Sequence, residues 1–207
     1  MHDGHDAAPR ALALFDFDGT LTTAETFGPF VRRAAPRTRV RVGAALLAPL
    51  VLGYRAGLVS GSSVRAAIVR VAFAGVPEAD VAAHGEAFAR DVIPGLLRPS
   101  AMASLDRHRE RGDTVAIVSG AFDAYLAPWC AAQGIELLAS SLASRDGVLT
   151  GHYRGAQCVG AEKARRVRER FALHAFDAVH AYGDTGEDAA LLALADHRTY
   201  RGRPLPA

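Results

Sequence analysis

Residues 11–22, Ala11-Leu12-Ala13-Leu14-Phe15-Asp16-Phe17-Asp18-Gly19-Thr20-Leu21-Thr22, decide how the rest of the chain is read. An apolar run that stops abruptly at Asp-Gly is the pattern of a strand buried on both faces and feeding a loop. Thr114 to Val118 and Val179 to Tyr182 repeat it. Between these strands lie helical patterns: Ser100 to Arg111 closed by Gly112, Phe122 to Gln133 closed by Gly134, and Glu162 to Phe171. Strand and helix in alternation predict an α/β protein with a parallel sheet.

Residues 23–93 interrupt that alternation with Ala- and Arg-rich helical patterns and no convincing strand, and so predict a helical insertion after the first strand. Residues 1–22 and 94–207 would then form the core. Ser140 to Gly155, broken by Arg145-Asp146-Gly147, has the form of a hairpin that adds antiparallel strands at a sheet edge. Residues 1–9 and 201–207 read as short tails.

The 207 residues are half hydrophobic and 22% charged, which excludes a disordered, collagen-like or coiled-coil chain. A net charge of +2 is too small to point to nucleic acid. Cys130 and Cys158 stand outside any metal-ligand spacing, and the start of the chain lacks a secretory pattern, so a cytoplasmic protein is expected. Val42 to Leu52 is apolar, interrupted by Pro49 and preceded by Arg32, Arg33, Arg37, Arg39 and Arg41. It is too short to span a bilayer. A helix buried within the insertion is the favoured expectation, and a helix lying on an anionic membrane surface the alternative.

The chemistry concentrates at the strand ends. On an extended backbone Asp16 and Asp18 face one side, and the carboxyl ends of parallel strands open onto the ligand crevice. Two carboxylates this close repel unless a cation lies between them or one carries a proton, and Mg²⁺ with its preference for oxygen ligands is suited to the first case. Asp184 and Asp188 sit in the Gly-containing turn after the last strand. A helix cap is the plain alternative for Asp184, yet four carboxylates at two strand ends favour metal binding. Ser119-Gly120 offers a hydroxyl and backbone N–H groups to a phosphate oxygen, or is an ordinary turn. Lys163 is the only lysine beside 23 arginines, which suggests a place for a compact point charge.

Asp16-Phe-Asp18-Gly19-Thr20-Leu21-Thr22, Val118-Ser119-Gly120, Lys163 and Gly183-Asp184-Thr185-Gly186-Glu187-Asp188 resemble, in order, the four motifs of the haloacid dehalogenase superfamily phosphatases. The insertion after the first motif, Ile93-Pro94-Gly95 and Asp146-Gly147-Val148-Leu149-Thr150-Gly151 are similar to the phosphoserine phosphatase-like subgroup. The resemblance implies a Rossmann-like three-layer core with a small helical cap. It implies Asp16 as nucleophile, Asp18 as acid and base, and Mg²⁺ held by Asp16, the Asp18 carbonyl and Asp184, with Asp188 behind them. Thr20, Ser119, Gly120 and Lys163 would serve the phosphoryl group or the nucleophile.

The same resemblance implies a small-molecule phosphate ester as substrate. Glu25, nine residues after Asp16, matches the glutamate that meets the ammonium of phosphoserine. Arg65 and Arg70 are the candidate carboxylate partners, although Val69 occupies the position where that subgroup carries its arginine. Related bacterial proteins that act on phosphatidylglycerophosphate make a lipid phosphate an alternative. A phosphotransferase, and a binding module without catalysis, are the other two.

Overall fold

The computed structural model describes residues 11–206. The expected tail at residues 1–9 and the reading of the chain start lie outside the described residues. Among the described residues eight strands are formed: β1 Leu12–Phe15, β2 Thr114–Phe122, β3 Glu136–Ser140, β4 Leu142–Arg145, β5 Val148–Tyr153, β6 Val179–Gly183, β7 His197–Tyr200 and β8 Arg203–Pro204. The six-stranded main sheet runs β3-β2-β1-β6-β7-β8, parallel except for its last strand, so the protein is α/β as expected.

Strand β1 is apolar throughout because both of its faces are covered. Ala13, Phe15, Val115 and Ile117 point to one core, while Leu12, Leu14, Ala116, Val118 and Ala181 point to the other. Helices α6 Pro99–Glu110 and α7 Asp123–Gln133 cover the first face through Leu105, Tyr125 and Leu126. Helices α8 Ala161–Arg170 and α9 Ala189–Leu192 cover the second through Val167, Leu191 and Leu192. Phe15 stands beside Ile117 on one side and Tyr182 on the other. Strands β1 and β6 therefore end close together while β2 runs on to Phe122, and Asp16 emerges between β2 and β6.

Between β1 and β2 come α1 Phe27–Ala34, α2 Arg37–Arg55, α3 Gly61–Phe73, α4 Glu78–Asp91 and the single turn α5 Ile93–Leu96. The chain leaves and rejoins the sheet at one place: Thr23 N–H donates to the Leu96 carbonyl at 2.8 Å and Arg98 N–H to the Leu21 carbonyl at 2.7 Å. Phe30, Phe73, Phe88, Phe122 and Tyr125 form an aromatic cluster between these helices and α7. Gly85 in α4 lies so near α7 that a Cβ there would stand 1.9 Å from the Ala124 carbonyl oxygen.

Several expectations are corrected. The hairpin β4–β5 turns at Asp146-Gly147, both at positive φ, but forms its own two-stranded sheet. It docks on the insertion instead of the sheet edge, where Leu149 exchanges hydrogen bonds of 2.7 and 2.8 Å with Gly75 and Val76. Strand β2 continues through Phe122, so Ser119-Gly120 lies within the strand at a register shift and α7 begins only at Asp123. Residues 201–206 are not a free tail: the chain turns at Arg201-Gly202, both left-handed, and β8 pairs with β7. The helix expected to be buried over Val42 to Leu52 has only Gly43 buried in α2, because just one of its sides packs on α3. No helix among the described residues is long and apolar enough to cross a membrane.

Candidate active site

The loop after β1 places two carboxylates on one cleft. Asp16 and Asp18 both have extended backbones, and the chain then reverses through Gly19 at φ 80°. Gly19 is needed for that angle and for space, since its missing Cβ would meet Asp184 Oδ2 at 2.4 Å. Arg98 donates to the carbonyls of Gly19 and Thr22 at 3.1 and 3.3 Å, and Gly19 N–H donates to Thr22 Oγ1, which fixes the loop.

Lys163 rises from the first turn of α8, where Lys163, Ala164 and Val167 form the buried stripe and the arginines face water. Its Nζ donates to Asp16 Oδ1 and to Asp188 Oδ1, each at 2.6 Å, with all three side chains buried. An ammonium carries three N–H groups, so one is left beyond these two bonds. Burial opposes the lysine charge, but the two carboxylates outweigh it and raise its pKa. The same pairing holds Asp188 below the usual carboxylate range against the effect of burial. Asp16 is pushed up to about 6, because burial exceeds the help from Lys163.

Asp188 is fully engaged. Its Oδ2 accepts from the N–H groups of Asp184 and Thr185 and from the Thr185 hydroxyl, which with the Thr185 cap forms a reciprocal capping box. Thr185 thus takes the capping role that was the plain alternative for Asp184. Asp184 instead accepts from Thr20 Oγ1 at 3.1 Å, and Arg201 holds its backbone carbonyl at 2.9 Å. Thr20 therefore orients Asp184 and faces away from the cleft that Asp16 and Asp18 line. Oxygen atoms of Asp16, Asp184 and Asp188 all lie within 4.8 Å of one another. An all-oxygen set around buried like charges fits a hard divalent cation.

Asp18 turns its carboxylate the other way, accepting from Thr26 N–H at 3.0 Å and Thr26 Oγ1 at 2.7 Å. The Tyr125 hydroxyl in turn reaches Thr26 Oγ1 at 2.7 Å. Burial, only partly offset by these bonds, pushes Asp18 up to about 7. Tyr125 and Arg98 escape a reading of the sequence because they are distant in the chain, and all three, Thr26 included, because they belong to no motif.

The cleft has a volume of about 720 Å³, and Asp16, Asp18, Ser119, Gly120 and Lys163 line its floor. Ser119 lines the cleft within β2, and its Oγ accepts from Ala121 N–H at 3.2 Å beside the register shift of that strand. Glu25, Phe27, Tyr54, Arg65 and Glu187 form the walls. Arg65 is committed: it donates to Glu187 at 2.9 Å and to Gln157 at 3.0 Å. Burial and the nearby Asp184 raise the pKa of Glu25. Arg70 lies outside the cleft, 3.4 Å from His152 on the hairpin.

The sequence profile of haloacid dehalogenase-like hydrolases matches residues 13–193, and the chain belongs to that family. It is 36% identical over 199 residues to Protein CicA of Caulobacter vibrioides, covering 93% of this chain and 88% of that one. A protein of unknown function from Bordetella pertussis Tohama I has a similar structure, with 27% identity, a TM-score of 0.75 and coverage of 92% and 89%. A substrate-bound phosphoserine phosphatase shares the fold at 20% identity and a TM-score of 0.67, covering 92% of this chain and 85% of its own.

Proposed function

We propose that the protein is a Mg²⁺-dependent phosphomonoester hydrolase working through an aspartyl-phosphate. The observation that carries this reading is Lys163 bonded to both Asp16 and Asp188 beneath a cleft that Asp18 also lines. Phosphoryl transfer asks a protein mainly for positioning and for neutralised charge. Asp16 and Asp184, with the Asp18 backbone carbonyl, would hold the cation, and Asp188 would brace them. Bound there, the cation neutralises phosphoryl charge.

The remaining steps belong to this chain's own residues. An Asp16 oxygen forms a bond to phosphorus as the bond to the substrate's ester oxygen breaks, while Asp18 gives that oxygen its proton. Asp18, now a carboxylate, takes a proton from a water whose oxygen attacks the phosphorus, which releases inorganic phosphate and Asp16. A carboxyl pushed up to about 7 is well matched to giving and taking a proton near neutral pH. Lys163 fixes the attacking carboxylate and has an N–H left for a phosphoryl oxygen. Ser119 and the Gly120 backbone line the floor beside it.

The substrate is a small phosphate ester with an amine at its far end. Glu25 and Glu187 on the wall supply negative charge, while Arg65 is already paired with Glu187 and Gln157. That charge balance favours an ammonium over a carboxylate. A lipid phosphate is the second reading, favoured by the apolar outer face of α2, the helix that carries Tyr54 into the cleft wall. Phosphate release with Mg²⁺ should be measured on amino-alcohol phosphates, phosphoserine, sugar phosphates and phosphatidylglycerophosphate, with Asp16→Asn as control. Turnover of an amine-bearing ester that the variant loses is expected. Turnover that survives in Asp16→Asn would refute the nucleophile.

A further inference from the structure

Helix α2 is apolar on two opposite sides and uses only one of them. Gly43 lies against α3, where a Cβ on it would come within 2.9 Å of Val71, and Leu47 and Val51 on the same side face Ile68 and Ala72 across a cavity of about 210 Å³. The other side carries Val42, Ala45, Leu46, Pro49 and Leu52, which fall within about a third of a turn at 100° per residue. Val42, Leu46 and Leu52 are 63%, 65% and 63% exposed, and Leu58 in the following turn is 83% exposed. An apolar face of this breadth normally packs on something.

The charge around it is one-sided. From Thr26 to Pro77 the chain holds eight arginines and no aspartate or glutamate. Arg33, Arg39 and Arg65 are bonded to Asp91, to the Ala74 carbonyl and to Glu187. Arg37, Arg41 and Arg55 are in no ion pair among the described residues, and at 100° per residue they fall along one margin of the apolar face.

We infer that the outer face of α2, with Leu58 at its tip, docks on an anionic lipid surface. A second copy of this chain would offer another apolar face but would bring two sets of unpaired arginines together. Nucleic acid would satisfy the arginines and leave the leucines in water. An anionic bilayer takes both, the apolar side chains at the acyl boundary and the guanidinium groups at the head groups. This docking stands apart from the proposed hydrolysis, because none of its residues touches Asp16, Asp18 or Lys163.

The test is co-sedimentation of the full chain with phosphatidylcholine vesicles containing about 30% phosphatidylglycerol, against vesicles of phosphatidylcholine alone. Pelleting with the anionic vesicles only, weakened in about 0.5 M salt, is expected. The combined variants Val42→Ser, Leu46→Ser, Leu52→Ser, and separately Arg37→Gln, Arg41→Gln, Arg55→Gln, should each reduce binding at least about tenfold, since both apolar burial and charge contribute. All six positions are on the surface, and an unchanged melting temperature confirms folding. Absence of pelleting, or pelleting that neither variant alters, would overturn the inference. So would a dimer in sedimentation velocity that the serine variant splits, with no lipid binding by the wild type. Because pelleting reads no turnover, an inactive protein that still binds vesicles would count against hydrolysis alone.

Discussion

A Cβ on Gly19 would stand 2.4 Å from Asp184 Oδ2, so the turn that ends the Asp16–Asp18 stretch and the carboxylate after β6 occupy adjoining space. Gly19→Ala must therefore move Asp184 as well as strain a backbone at φ 80°. The expected result is a fold that survives with turnover down at least about a hundredfold, as misplacement near the chemistry commonly costs. The rise in melting temperature on adding Mg²⁺ should shrink with it. A variant with wild-type turnover and an unchanged Mg²⁺ shift would separate Gly19 from metal positioning.

Removal of the ammonium tests the buried charge network. Lys163→Met leaves Asp16 and Asp188 buried at a site built for a cation, and breaking such a pair costs about 3–5 kcal/mol. Urea unfolding of the metal-free protein should show that loss at pH 7. It should shrink below about pH 4, where Asp16, pushed up to about 6, is protonated in the folded state. A stability change under about 1 kcal/mol would mean that the network contributes little to folding.

Asp18 gives a pH dependence with a definite sign. Its folded pKa is raised to about 7 from 3.8 by burial, so its ionisation costs the metal-free fold stability as pH rises from about 4 to 7. Asp18→Asn removes that cost. The metal-free variant should melt higher than wild type at pH 8, and the gap should close by about pH 4. A gap independent of pH would show that ionisation of Asp18 is not its cause.

Gly85→Ala probes the seating of the helical insertion. Its methyl group would stand 1.9 Å from the Ala124 carbonyl, which forces α4 and α7 apart. Overpacking of this kind costs about 1–3 kcal/mol, or several degrees in a chain of this length. An unchanged melting temperature would show that the two helices separate freely.

Much of the fold was legible because a strand covered on both faces must read as an unbroken apolar run, as Leu12 to Phe15 does. Strands β3 and β7 were missed because they are partly exposed and mix apolar with polar residues. The hairpin turn was readable from Asp146-Gly147, yet its neighbour was not, since docking on Gly75 and Val76 is a tertiary choice. The grouping of Asp16, Lys163, Asp184 and Asp188 in one place, with Asp18 on the same cleft as Asp16 and Lys163, was legible because motif spacing survives in the sequence. Thr26 and Tyr125 were not, because their bonds to and behind Asp18 exist only after the helices fold over the sheet. Helix α2 misled because apolar composition does not record which of its sides is covered.

Thr26 is the residue immediately before the first helix of the insertion, and it supplies both of the hydrogen bonds that hold the Asp18 carboxylate. The roof over the cleft and the orientation of the Asp18 carboxylate are thus one mechanical piece. Excising the insertion by joining residue 22 to residue 97 would leave Asp18 without either donor. A graft of a foreign roof onto this sheet would have to bring its own hydroxyl to that spot, so changes in what the cleft admits are tied to the proton transfer proposed for Asp18.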